Sequence, residues 1–254
     1  MNKERAYGGF ASLYDAFTDD VDYEAWSRYY LDLIEANGKN APIAICDCGC
    51  GTGSMAVAWA GMGHAVIGVD ISEEMLEAAS EKARANGVSI PFSRQDMRVL
   101  MLHRPIDAVI APNDSVNYLT APGGARAFFK RAHACLKKGG ALAFDISTRH
   151  KLEAMDGQFF VDEREDMAYI WHNRLNAERT FIEMDLTFFT LQSNGLYRRF
   201  SECHTLRLYD VDDLIKWLTE CGFDGEIKVY GDRTFASPAS CEPRVHIVAK
   251  KSDR

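Results

Sequence analysis

The sequence predicts an α/β fold: a doubly wound, mostly parallel sheet into which an antiparallel β meander is inserted. Three observations carry this expectation. Short apolar runs, each followed by a helical pattern, succeed one another five times between residues 41 and 150, and such alternation implies parallel strands with right-handed crossovers. The first run breaks into alternating glycines, Gly49-Cys50-Gly51-Thr52-Gly53, just before a helix. Past residue 156 the hydrophobic period changes from helical to two, and Asn194-Gly195 supplies a hairpin signal between two long strands. The expected layout is an N-terminal helical cap segment at 1–40, a sheet domain made of 41–156 and 210–254, and an inserted β cap at 157–209.

Taken in order, Tyr7, Phe10, Tyr14 and Phe17 fall at helical spacing ahead of the acidic run Thr18-Asp19-Asp20-Val21-Asp22. Their plain reading is a packed aromatic stripe. Asp22 caps a helix over about 23–36, with Trp26, Tyr30, Leu33 and Ile34 on one side and Asn37-Gly38 as its stop. The first strand runs into the glycine loop, and residues 55–62 form an apolar helix. The second strand ends in Asp70, after which Ser72 caps a helix with Glu73 and Glu74 in its first turn. A third stretch, 90–94, leads to Gln95-Asp96-Met97, where Asp96 can cap a short turn. The fourth strand, 106–111, closes in Pro112-Asn113-Asp114-Ser115-Val116-Asn117-Tyr118.

The next helix carries Ala125, Phe128, Phe129, Ala132, Cys135 and Leu136 on one face and is expected to end at Lys137-Lys138-Gly139-Gly140. A fifth strand follows at 141–146. Meander strands are expected at 169–175, 181–193 and 196–209. A helix capped by Asp210 and strands at 226–230 and 245–250 finish the chain.

Composition narrows the function. The chain has 254 residues, with 29 Lys and Arg against 37 Asp and Glu, a net charge of −8. Contact with a nucleic-acid polyanion needs a basic surface, so nucleic acid is not the expected partner. No apolar run reaches membrane-spanning length and no signal-type apolar core follows the N-terminus, so a cytoplasmic protein without a membrane partner is expected. Seven cysteines are present and none forms a Cys-x-x-Cys pair. Cys46, Cys48 and Cys50 alternate at one strand end as small apolar filling, and no metal site is expected.

Each glycine of the loop admits backbone where a side chain would intrude, and the loop opens a helix whose free N–H groups favour negative charge. A cofactor with a carboxylate or phosphate suits that position. Asp70, ending the second strand, can accept both hydroxyls of a ribose. A nicotinamide dehydrogenase would share that acid, but Ser54 stands where its longer glycine fingerprint needs a third glycine.

Asp47-x-Gly49-x-Gly51-x-Gly53, followed by Asp70 and then Asp96-Met97, resembles the cofactor site of class I S-adenosylmethionine-dependent methyltransferases. The resemblance implies that Asp47, Gly49, Cys50, Gly51 and Gly53 lie against the methionyl part of S-adenosyl-L-methionine. It also implies that Asp70 holds the ribose, Asp96 accepts from the adenine amino group and Met97 lines the ring. Ile71, Met75 and Asn113 complete the expected cofactor site. The seven-stranded, Rossmann-like sheet of that family places its last strand antiparallel between the fifth and sixth. Phe10-Ala11-x-x-Tyr14-Asp15, followed by Asp22-Tyr23-x-x-Trp26, resembles the N-terminal cap of small-molecule methyltransferases that act on amines and sugars. That implies Tyr14 and Trp26 over the cofactor.

Ligands of open parallel sheets sit beyond the carboxyl ends of the strands, so residues 113–118 should face the transferred methyl, with Asn117 and Tyr118 binding the acceptor. Base-modifying relatives carry Asn-Pro-Pro-Tyr there, and the departure to Ala111-Pro112-Asn113-Asp114 argues against a flipped nucleobase. The expected reaction is methyl transfer to a small molecule, with an amine nitrogen as acceptor. O-methylation and cofactor binding without turnover are the alternatives. The meander should roof the acceptor site, its other reading being a homodimer contact. A two-residue turn at Asn194-Gly195 would set Asp185 opposite His204, an orienting carboxylate beside a base, so His204, Asp185 and Tyr14 are the catalytic candidates.

Overall fold

The computed structural model describes residues 14, 15, 18, 21–35 and 42–252. Tyr7, Phe10 and Phe17 of the aromatic stripe lie outside the described residues, as do Asn37 and Gly38. Helix α1 (Tyr23–Glu35) precedes β1 (Ala44–Cys48), α2 (Ser54–Gly61), β2 (Ala65–Asp70), α3 (Glu73–Ala85), β3 (Phe92–Arg94), β4 (Ile106–Ala111), α4 (Gly124–Cys135) and β5 (Leu136–Ser147). After the short α5 (Arg149–Ala154) come β6 (Phe159–Glu163), β7 (Met167–Leu175), β8 (Phe181–Leu191) and β9 (Tyr197–Arg207). Helix α6 (Val211–Glu220) and strands β10 (Ile227–Gly231) and β11 (Arg244–Lys250) close the fold.

Seven strands form one sheet in the order β10-β11-β5-β4-β1-β2-β3. The five central and outer strands from β5 to β3 run parallel, and β11 lies antiparallel between β5 and β10. Strand order reverses between β1 and β4, which opens a crevice at their carboxyl ends. Buried strands alternate their side chains between two layers. Cys46 and Cys48 face a layer with Phe128, Phe129, Leu214 and Leu218 of α4 and α6, and Ile45 faces one with Tyr30, Leu33 and Trp59 of α1 and α2. No helix among the described residues is long and apolar enough to cross a membrane.

Local signals set the helix starts. The Ser72 hydroxyl accepts from the Met75 N–H at 3.2 Å, and the Asp22 carboxylate from the Ala25 N–H at 2.9 Å. Asp210 stands at the start of α6 without a side-chain cap, because its carboxylate takes Arg149 at 3.0 Å. Helix α4 stops at Cys135, earlier than its sequence predicts. Leu136 already pairs with Ile106 in the sheet, and Lys137 binds Asp107 at 2.9 Å instead of sitting on the helix end.

The meander forms a second, four-stranded antiparallel sheet in the order β6-β7-β8-β9. Strand β6 is absent from the sequence expectation, since Phe159, Phe160 and Val161 are all exposed and show no alternation. The hairpin register is also corrected. Gln192 N donates to Leu196 O at 2.8 Å and Gly195 takes a φ of 78°, so the loop holds three residues, 193–195, with glycine in the left-handed position. That extra residue slides the pairing by one. Asp185 stands opposite Cys203, and His204 opposite Met184. The expected Asp185–His204 pair does not form; Asp185 binds Arg174 at 2.8 Å.

The inner face of this sheet packs Ile182, Met184, Leu186, Phe188, Leu206 and Leu208 against Met75 and Leu152. Asn117 ties the cap to the sheet. Its amide donates to Ser147 O at 3.2 Å and Arg207 O at 2.9 Å, and its oxygen accepts from Ser147 N at 3.0 Å.

Candidate active site

The chain leaves β1 in a tight turn in which Gly49 N and Cys50 N both donate to Val69 O, at 2.7 and 3.0 Å. Gly49 has a φ of +80°, and a Cβ there would meet the Ser115 hydroxyl at 2.7 Å. Gly53, at φ +77°, lets α2 begin against α3, where a Cβ would meet that of Ala79 at 2.9 Å. Gly51 differs: a Cβ would find nothing within 4 Å and would point into open space. That space is a cavity of about 260 Å³ lined by Asp47, Gly49, Cys50, Gly51, Asp70 and Ile71, and by Met75, Asp96, Met97 and Asn113 across from them.

Asp70 accepts from Gly51 N at 2.8 Å and from Ser72 N at 2.9 Å. A carboxylate has about four lone-pair positions, so acceptor capacity remains for a ligand hydroxyl. Burial raises its pKa, and the three backbone N–H groups of Ser72, Gly51 and Ile71 pull it back. Asp47 is fully buried; the Ala56 N–H lies near enough to lower its pKa somewhat, but neither carboxylate oxygen has a partner at hydrogen-bond distance and angle among the described residues. Desolvation, with the nearby Asp70 charge, pushes it up to about 8. A buried acid without donors is costly unless a ligand supplies them. The ammonium of an amino-acid group does so, and S-adenosylmethionine carries one next to its carboxylate. Asp96 accepts from Arg98 N at 2.9 Å and is chelated by the Arg98 guanidinium, which holds its carboxyl low. The residues present therefore fit this cofactor: an acid for the ammonium, an acid for the ribose, and Met97 and Ile71 for the ring.

Beyond β4 the backbone of Asn113 and Asp114 turns left-handed, with φ of 56° and 60°. These residue types tolerate such angles, and the buried Asp145 fixes them by accepting from both N–H groups, at 2.7 and 3.1 Å. Asp145 also accepts from the Tyr30 hydroxyl at 2.6 Å and binds Arg244, which reaches Asp114 at 2.8 Å. This kink aims the following turn at a second cavity of about 310 Å³, enclosed by the inner face of the β cap. Tyr169, Trp171, Met184, Leu186 and Phe188 give it apolar walls, and Lys151, Asp114, Arg244 and His204 its polar side. Tyr14, Tyr23, Asn113 and Tyr118 line both cavities, so the two meet at these side chains.

Three expected residues stand elsewhere. Trp26 packs on His246 and Tyr30 under the Arg244 guanidinium, because the helical spacing of α1 turns it to the sheet. Gly53 serves helix packing, and Asn117 is consumed by backbone groups. Neither Gly53 nor Asn117 lines either of these two cavities. Tyr14 is held over the loop by its neighbour Asp15, which accepts from Thr52 at 2.7 Å and from Lys82 at 2.7 Å. The sequence reading missed Lys151 and Arg244.

Comparison with known proteins agrees with this geometry. A family model described as a methyltransferase domain matches residues 45–140. A Geobacillus sp. (strain WCH70) protein, a methyltransferase by name, is 35% identical over 246 residues, spanning 96% of this chain and 99% of its own. Among solved structures, a S-adenosylmethionine-dependent methyltransferase from Clostridium acetobutylicum superposes with a TM-score of 0.85 at 26% identity, covering 98% of this chain and 100% of that one. The sugar N-methyltransferase KedS8 from Streptoalloteichus superposes with a TM-score of 0.76 at 20% identity, covering 99% and 98%. With a Geobacillus relative 35% identical over 99% of its length, and with a cavity whose acids match the cofactor's donors, the chain belongs to the class I S-adenosylmethionine-dependent methyltransferases.

Proposed function

We propose that the protein methylates an amine nitrogen of a small molecule held under the β cap. The observation that carries this reading is the junction of two cavities at Tyr14, Asn113 and Tyr118, one shaped for the cofactor and one walled by apolar and aromatic side chains. The cofactor supplies a methyl group on a sulfonium, which leaves as a neutral thioether. The chain's own residues then have to orient an acceptor lone pair and exclude water. Met184, Leu186 and Phe188 exclude water, and aromatic faces such as Tyr169 and Trp171 suit the cationic nitrogen that methylation produces. The fold shared with a sugar N-methyltransferase supports the same acceptor class. No disulfide joins any of the seven cysteines, which suits a reducing compartment, and we expect the protein to act in the cytoplasm.

The test is incubation with methyl-labelled cofactor and a panel of small amines, amino sugars and hydroxy acids. Label is expected in an amine. Label confined to hydroxyl products would replace N- with O-methylation, and binding of the cofactor with no labelled product would leave a sensing module.

A further inference from the structure

Glu202 and His204 sit two residues apart on β9, and both are buried on the inner face of the cap. A Glu202 carboxylate oxygen lies 3.3 Å from His204 Nε2, an ion-pair distance without hydrogen-bond geometry, and His204 Nδ1 lies 3.1 Å from the Tyr118 hydroxyl. His204 lines the acceptor cavity, Tyr118 lines both cavities, and Glu202 stands behind them, lining neither. The three groups make a chain from the interior of the cap to the place where cofactor and acceptor meet. Their chemistry gives the chain a direction. The negative charge of the carboxylate beside Nε2 favours the ring proton on that nitrogen, and Nδ1 then accepts from the phenol. Of the neighbouring acids, Asp114 and Asp145 bind Arg244, and Asp185 binds Arg174.

We propose that Glu202, His204 and Tyr118 form a proton relay that takes the proton leaving the acceptor nitrogen, Tyr118 being the catalytic residue and His204 and Glu202 positioning residues. The assignment rests on the amine reading above. The N–H bond of the acceptor breaks with its electron pair staying on nitrogen, and the proton passes to Tyr118 Oη. The phenol's own proton passes to His204 Nδ1, so Tyr118 ends as it began. The imidazole then carries a proton on each nitrogen, and its charge faces the Glu202 carboxylate. A carboxylate behind a histidine acts in this way by fixing the tautomer and stabilising the imidazolium.

The experiment reads the tautomer first. Protein labelled with 15N in its histidine rings is saturated with S-adenosylhomocysteine, and the His204 signals are identified by their loss in His204→Gln. The parent should show the Nε2-protonated ring. In Glu202→Gln the amide can donate to Nε2, so the proton should move to Nδ1, whereas Glu202→Asp should keep the parent's tautomer. An Nδ1-protonated parent, or a tautomer indifferent to Glu202→Gln, would overturn the relay. Because the spectrum needs no acceptor, it separates a failed relay from a failed acceptor assignment. With a labelled amine in hand, Glu202→Gln and Tyr118→Phe should each lower kcat about 10²-fold, with KM for the cofactor within about twofold and partial rescue by Glu202→Asp. Methylation by Tyr118→Phe at the parent's rate would also refute the proposal.

Discussion

Asp47 is the least comfortable side chain in the cofactor cavity, and its discomfort is measurable. Its pKa, about 8, lies far above that of an exposed Asp. A group with a raised native pKa contributes stability below its unfolded pKa and loses it as pH rises through the native one. Without cofactor, the parent should therefore lose stability between about pH 4 and pH 8, and Asp47→Asn should lack that slope. The check is melting temperature against pH for both proteins; curves that stay parallel would show that Asp47 is ionised throughout. Asp70 makes a different prediction. Losing a charged acceptor costs about 1.5–3 kcal/mol, so Asp70→Ala should weaken cofactor binding by about one to two orders of magnitude in a calorimetric titration. Both acids were legible because loop, strand end and acid are close in sequence. Asn117 was misread for the opposite reason, since Arg207, far along the chain, decides which way its side chain points, whereas Trp26 faces the sheet by the helical spacing of α1.

Strand alternation, glycine stops and caps made most elements readable, since each depends on a few adjacent residues. The failures came where one residue of loop length or a distant partner decides. Asn194-Gly195 fits a two-residue turn, yet the chain closes it with three, and a single step of register turned Asp185 away from His204. Strand β6 has no alternation to read because it is an exposed edge strand of the cap. Asp145 shows how elements are joined by one side chain, since it links α1 through Tyr30, the turn after β4 through two backbone N–H groups, and β11 through Arg244. Asp145→Ala should cost about 3–5 kcal/mol, because it strands the buried Arg244 with a single carboxylate partner and releases the left-handed kink. Urea unfolding measures this, and a loss below about 1 kcal/mol would mean that Asp114 and water replace Asp145.

The whole chain brings the cofactor loop, the kink after β4 and the inner face of the cap to the carboxyl edge of one sheet. The order of the sheet was readable from repeated strand-helix alternation, and the position of the cap from where the period changes. How the cap leans on the sheet was not, because its anchors are long-range: Met75 and Leu152 packed under β8 and β9, and Asn117 bonded to β9. Cofactor binding should draw on most of these parts at once, since the cavity-lining residues Asp47, Gly51, Asp70, Met97 and Asn113 come from separate strands and turns. A ligand held by the native state alone stabilises it by about 2.7 kcal/mol at a hundred times its dissociation constant. For a chain of this size, each kcal/mol moves the melting temperature by about 2–4 °C. Saturating S-adenosylmethionine should therefore raise the midpoint by about 5–11 °C. S-adenosylhomocysteine should act comparably, because the amino-acid, ribose and adenine groups that Asp47, Asp70 and Asp96 are expected to address are shared by both compounds. A reduced nicotinamide cofactor has no amino-acid group for Asp47 and should leave the midpoint unchanged. Thermal unfolding with each compound decides: no shift with either sulfur compound at millimolar concentration would reject the cofactor cavity as assigned.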